Sequence, residues 1–311
     1  MEDRRTTKKW VFALTTILAI GFGQRVSGVR AAVPFTPAGD GHDTIPAYVD
    51  GRGPFAFILD TGADGSALYQ WFAEKEHLPR GQARDVNGQT GSVSSPTYSL
   101  KTLSVDGRVI RDIVVDGLPN RHDGGREAGV AGNDLMDGTV TIFDFPCRTV
   151  EMRIKPVHLH AIVPSNSIMV QGGTVPDGTQ LTLPVTVAGV EGTAYLDTGS
   201  RDTRISPSFA AAAHIDPNSP AFRDADLVFG FKSKGTVSRV GPIGPVKFAG
   251  ITVAHAEARV IDLPDFGTFR PDGPPSMILG MDLMRAYRLV YDHEKKRFWF
   301  TRSSCRQPIT K

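Results

Sequence analysis

Asp60 and Asp197 each open the same triplet. The first sits in Phe57-Ile58-Leu59-Asp60-Thr61-Gly62-Ala63 and the second in Ala194-Tyr195-Leu196-Asp197-Thr198-Gly199-Ser200. A lone Asp-Thr-Gly is most often a turn, but two carboxylates brought together can do acid–base work. Two like charges held close cannot both ionise easily, so one carboxyl keeps its proton while the other is charged. The charged one can then take a proton from water while the neutral one gives a proton to a leaving nitrogen, which is what amide hydrolysis requires. Such a pair needs two equivalent loops facing each other across an axis.

The neighbours of each Asp suit that geometry. The apolar residues before it seat a buried strand. Thr61 and Thr198 carry hydroxyls that can tie the two loops together, and Gly62 and Gly199 allow a tight turn that brings amides near the carboxylates. Ala63 and Ser200 differ. Ser200 is expected to donate a hydrogen bond to Asp197 and favour its charged form, which Ala63 cannot do for Asp60. Asp197 is therefore expected to ionise first and Asp60 to keep the shared proton, with the two titrating as a unit.

The elements that must position these loops are repeated in the chain. Ile45-Pro46-Ala47-Tyr48-Val49-Asp50-Gly51 precedes the first Asp as Leu183-Pro184-Val185-Thr186-Val187-Ala188-Gly189 precedes the second. The interval from Pro to Asp is one residue longer in the first copy, a difference expected in the hairpin turn. Downstream, Val130-Ala131-Gly132-Asn133-Asp134-Leu135-Met136 matches Ile278-Leu279-Gly280-Met281-Asp282-Leu283-Met284. Each is followed by a strand ending at an Asp, Asp144 or Asp292, expected to be structural, and by a closing strand. Two landmarks in one order describe two copies of one β-rich unit, residues 31–155 and 173–311. Residues 156–172, with Pro156, Pro164 and a Gly172-Gly173 pair at the end, read as a linker.

Within a copy, a hairpin leads to the Asp-bearing strand. Ser66–Glu76 reads as a short helix or irregular stretch, and a Gly-rich polar hairpin spans Val86–Tyr98. Strands follow near Lys101–Val105 and Ile110–Val115, and a short helix begins near Asn133. The second copy has its own hairpin near Phe229–Val240 and a short helix near Ala210–Ala213. Phe298, Trp299 and Phe300 are expected to cap a core.

The 311 residues suit two lobes, and 33 Gly with 22 Pro fit many short strands joined by turns. A net charge of +2 is too mild to indicate nucleic acid. There is no P-loop, no HExxH and no CxxC pair. His158 and His160 form an HxH without partner ligands and are expected at the surface. Residues 1–30 run from a basic start (Arg4, Arg5, Lys8, Lys9) through an apolar stretch to small residues, the order of a secretory signal peptide. An uncleaved anchor is the other reading. Either predicts an exported protein, periplasmic or secreted. Cys147 and Cys305 can form one disulfide or remain two thiols, and spacing leaves both open.

With both Asp-Thr-Gly copies and both hydrophobic-hydrophobic-Gly segments in view, the chain resembles the retropepsin-like and pepsin-like aspartic proteases. In particular it is similar to bacterial proteins with tandem retropepsin-like domains. Asp60-Thr61-Gly62-Ala63-Asp64 is close to the retroviral form of the motif, and Asp197-Thr198-Gly199-Ser200 is the pepsin-like form. The resemblance covers roughly residues 40–155 and 173–305. It implies a mainly β fold of two pseudo-symmetric β-barrel lobes with a cleft between them. It also implies an aspartic endopeptidase with Asp60 and Asp197 as the catalytic pair, an extended peptide or protein substrate, and no metal or organic cofactor. Two copies in one chain make a monomer sufficient. A peptide-binding module on the same fold, without turnover, is the alternative. Gly88, Gln89, Thr90 and Gly91 occupy the flap position, but no Tyr is placed like the pepsin flap tyrosine, since Tyr98 comes too late. The basic hairpin Gly230-Phe231-Lys232-Ser233-Lys234-Gly235 is either a second flap or a solvated loop.

Overall fold

Two-residue turns set the hairpins. At Asp50-Gly51, Asp106-Gly107, Ala188-Gly189 and Ala249-Gly250 both central residues have positive φ, the backbone twist that suits a tight antiparallel hairpin. Each links strands that pair directly across it, as Val187 does with Val190 and Val105 with Arg108. The computed structural model describes residues 32–165, 167–175, 178–228, 235–263 and 269–305. The segment expected to direct export and most of the basic Gly230–Gly235 hairpin lie outside these residues.

In the first lobe, strands Asp43–Val49, Arg52–Leu59, Gly129–Ala131, Ala67–Tyr69, Arg108–Leu118 and Gly91–Val105 pair in that order. The last pairs back onto the first, closing a barrel. The second lobe repeats the ring with Leu181–Val187, Val190–Leu196, Ser276–Leu279, Arg204–Ile205, Ile251–Val260 and Arg239–Phe248. In both, the strand that ends at the Asp runs parallel to the hydrophobic-hydrophobic-Gly strand, Leu59 beside Ala131 and Leu196 beside Leu279. Helices are short, Gln70–Lys75, Asn133–Met136, Pro207–Ala212 and Met281–Met284. No described helix is long and apolar enough to cross a membrane.

A third sheet joins the lobes. Its antiparallel order is Val33–Pro34, Thr149–Ile154, Thr139–Asp144, Arg288–Asp292, Arg297–Thr301 and Met169–Gln171, with Phe143 opposite Leu289 at the lobe boundary. One apolar cluster runs through both barrels and this sheet, from Phe57 and Leu59 through Phe143 and Tyr291 to Leu196 and Leu279. Phe298, Trp299 and Phe300 are all buried, with Phe298 and Phe300 in that cluster and Trp299 in a smaller one with Val140 and Ile162. The disulfide Cys147–Cys305 ties the two ends of the repeat across the sheet, with Cα atoms 5.1 Å apart.

Several expectations need correction. The extra residue of the first copy is not in its turn. The pairing shifts by one between Ala47 and Val49, where Gly53 and Pro54 together oppose Tyr48; the bulge is at Gly53-Pro54, where Pro has no N–H for the ladder and Gly53 takes φ 146°. Ser66–Glu76 holds the strand Ala67–Tyr69 before its helix. The linker contributes the strand Met169–Gln171, which covers the sheet edge at Arg297–Thr301. Asp292 is fully buried and accepts from Lys155 and Arg297, and Asp144 accepts from Cys147 and Ser303. His158 and His160 are exposed.

Candidate active site

The parallel strand pairs deliver the two Asp residues to the lobe junction. Asp60 N–H donates to Ala131 O at 2.9 Å and Asp197 N–H to Leu279 O at 3.2 Å, so each Asp is the first residue past its strand. The two Thr side chains then cross. Thr61 Oγ1 donates to Leu196 O at 2.9 Å and accepts from Thr198 N–H at 3.0 Å. Thr198 Oγ1 donates to Leu59 O at 2.7 Å and accepts from Thr61 N–H at 3.0 Å. Both Thr residues are buried, so these reciprocal bonds satisfy backbone groups that have no water to turn to.

The glycines bring the carboxyls together. Gly62 N–H donates to Asp60 Oδ1 at 2.7 Å. A Cβ on Gly62 would stand 2.7 Å from the Asp197 carboxyl carbon, and one on Gly199 would overlap the Asp60 carboxyl. Only a residue without a side chain lets each loop approach the opposite Asp so closely. The two carboxyls lie close enough for each to influence the ionisation of the other.

Their environments are unequal. Loss of water, then the Asp197 charge, pushes Asp60 well above the usual carboxylate range. Burial also raises Asp197, but the Arg204 guanidinium and the Asp60 hydrogen bond pull against it. Both carboxyls are raised, and only Asp197 has a cation working against the rise. The Ser200 hydroxyl donates to Asp202 O at 3.0 Å, so Ser200 favours the Asp197 anion only through its backbone N–H, and Arg204 takes the part expected of the hydroxyl.

Behind each loop, the Asp of the downstream motif holds the chain. Asp134 Oδ1 accepts from Ser66 N–H and Oγ–H at 2.9 and 2.7 Å, and Asp282 Oδ1 accepts from Thr203 N–H and Oγ1–H at 2.9 and 2.6 Å. Ala63 O and Ser200 O accept from Asn133 and Met281 N–H at 2.9 and 2.8 Å. The repeat made Asp134 and Asp282 visible, yet their task appears only once Ser66 and Thr203 are seen beside them.

Over the dyad lies the hairpin of strands Arg80–Gly88 and Gly91–Val105, which turns at Gln89-Thr90 with Gly88 opposite Gly91. Thr90 is buried, and Gln89 Nε2 donates to Asp197 Oδ2 at 3.1 Å while its Oε1 accepts from Arg204. Tyr98 is buried in the barrel and takes no part in this contact. The cleft encloses about 760 Å³ and draws its walls from both lobes, including Tyr69 and Arg121 on one side and Arg204 and Arg259 on the other. Burial pushes the Tyr69 phenol up to about 12. Arg121 holds Asp123 down at about 2. Neither Arg121 nor Arg204 stood out in the sequence. Laying the two copies side by side would have exposed Arg204, which stands where the first has Ala67.

Closed barrels with paired Asp-Thr-Gly loops at their junction define an acid-protease architecture. The family model described as aspartyl protease matches residues 45–135 and 183–283, and the chain belongs to that family, with two tandem retropepsin-like domains. A comparison with curated protein sequences found no match.

Proposed function

We propose that this protein is an exported aspartic endopeptidase in which Asp197 activates a water molecule and Asp60 protonates the leaving nitrogen. The observation that carries this reading is the pair of buried Asp carboxyls that the crossed Thr loops and close-approaching Gly residues bring together at the lobe junction, where burial and the Asp197 charge favour a proton on Asp60. A singly ionised dyad supplies base and acid at once. As water attacks the substrate carbonyl, its proton passes to Asp197. Asp60 hydrogen-bonds the carbonyl oxygen as charge develops there, and the proton needed by the amine is then delivered from the dyad. The crossed Thr hydroxyls fix the separation of the carboxyls, which positions the water between them.

An extended peptide fits a cleft walled by both lobes under a hairpin. A monomer is sufficient, since one chain supplies both Asp residues. Residues 1–30 direct export to the periplasm or medium. Cleavage of a broad peptide library across pH 3–8 tests the reading. Turnover with defined cut sites supports it. Saturable peptide binding without turnover at any pH identifies a peptide-binding module instead.

A further inference from the structure

We propose that Arg204 determines specificity by receiving an acidic side chain of the substrate in the place now held by the Gln89 carboxamide. This rests on the peptide-hydrolysing reading above. Arg204 opens the short strand Arg204–Ile205 on the second-lobe wall, opposite Ile278. The equivalent position of the first copy is Ala67, so only one half of the cleft carries a cation at this level.

The other arginines of the cleft are already engaged. Arg121 pairs with Asp40 and Asp123, Arg259 with Asp202 at 2.9 Å, and Arg201 donates to Asp40 O. Arg201 and Arg204 each meet a neutral oxygen, and of the two only the acceptor of Arg204 also binds the dyad. The partner of Arg204 is Gln89 Oε1, a neutral acceptor from the flap tip, and among the described residues the Arg204 Nε has no acceptor. A guanidinium is a planar fork of donors shaped for two carboxylate oxygens, and a carboxamide offers it one. Burial works against its charge, and the largest opposing influence is Asp197, whose Oδ2 is already bound to Gln89.

The Gln89 side chain is thus a stand-in for a carboxylate. A substrate Glu or Asp carries the same planar group with two accepting oxygens, enough to take the Nη1 bond now made to Gln89 and a second bond from the neighbouring Nη2 of the fork. When it does, Gln89 loses its hold on Arg204, and its Nε2 is free to leave Asp197. Loading an acidic residue and clearing the dyad become one event.

The test uses fluorescent peptides that differ only by Glu, Gln or Lys at each position around the scissile bond. They are offered to the full chain and to Arg204→Gln and Arg204→Glu. Glu should raise kcat/KM about tenfold or more at one position, the factor expected for a charge-assisted over a neutral hydrogen bond. That ratio should fall to about one in Arg204→Gln and favour Lys over Glu in Arg204→Glu. No preference in the wild type, or a preference that survives in Arg204→Gln, overturns the assignment. If the variants do not fold, the wild-type Glu/Gln ratio at each position decides alone. Binding of the same pairs to Asp60→Asn, read by anisotropy, separates the two readings. Absence of cutting would sink the peptidase, while equal binding of Glu and Gln peptides would sink the role of Arg204.

Discussion

Thr61 and Thr198 each donate a hydroxyl to the carbonyl that precedes the other's Asp, Leu196 O at 2.9 Å and Leu59 O at 2.7 Å. Each hydroxyl also accepts the other's backbone N–H, so two loops more than 130 residues apart are locked as one unit (the separation of Thr61 and Thr198 is 137). Thr198→Ala removes the donor to Leu59 O and the acceptor of Thr61 N–H, and both are buried. The expected loss is about 2 kcal/mol or more, from two unsatisfied buried groups. Thr198→Ser should recover most of it. Thr61→Ala removes the other two bonds, and the double variant measures how strongly the two loops are coupled. Urea unfolding of the wild type and the four variants measures this.

The dyad makes stability fall as pH rises. The folded-state pKa of Asp60 lies above its ordinary 3.8, so the folded chain holds this proton more tightly than the unfolded one. The contribution of Asp60 is complete below 3.8 and is lost as pH climbs from there through the raised value. Asp60→Asn removes that loss. It should melt above the wild type at pH 7, and the gap should shrink at pH 3. A wild type whose melting temperature is no more sensitive to pH than that of Asp60→Asn would refute the burial of this proton.

Arg204 is the cation that opposes the upward shift of Asp197, and the Ser200 hydroxyl is turned away to Asp202 O. Arg204→Gln should therefore move the acid limb of the pH–rate profile to higher pH, since Asp197 then ionises later. Ser200→Ala should leave that limb in place. The two profiles, measured on one peptide, assign the asymmetry to one residue or the other.

The disulfide closes a separation of 158 residues and ties the turn after Asp144 to the end of the last strand. Replacing both Cys147 and Cys305 by Ser should cost about 2–5 kcal/mol. The pH–rate profile should keep its shape, because neither Cys touches the cleft. Denaturant unfolding and activity together check this.

The repeat made the architecture legible because each copy carries two hydrophobic landmarks at fixed places, and those landmarks are the paired strands that seat Asp60 and Asp197. The crossed Thr hydroxyls followed from residue type alone. Short elements were harder. Met169–Gln171 lies among Pro and Gly and becomes a strand only because the edge at Arg297–Thr301 offers it a ladder. The bulge at Gly53-Pro54 was hidden because an extra residue can be absorbed in a turn or in a strand without changing the landmarks. Gln89 and Arg204 depend on contacts across 115 residues of chain, which no local pattern encodes. Ser200 misled for a related reason: a hydroxyl beside an Asp has several acceptors within reach, and the nearby Asp202 carbonyl won.

The central claim is that Asp60 and Asp197 act as one catalytic unit. Its most direct test is kcat/KM on one cleaved peptide for the wild type, Asp60→Asn, Asp197→Asn and the double variant. Each single change should abolish measurable turnover, and the double change should cost no more than either single one, as for residues that work together. Substantial activity in either single variant would contradict the account, because the remaining carboxylate would then be doing both tasks without its partner.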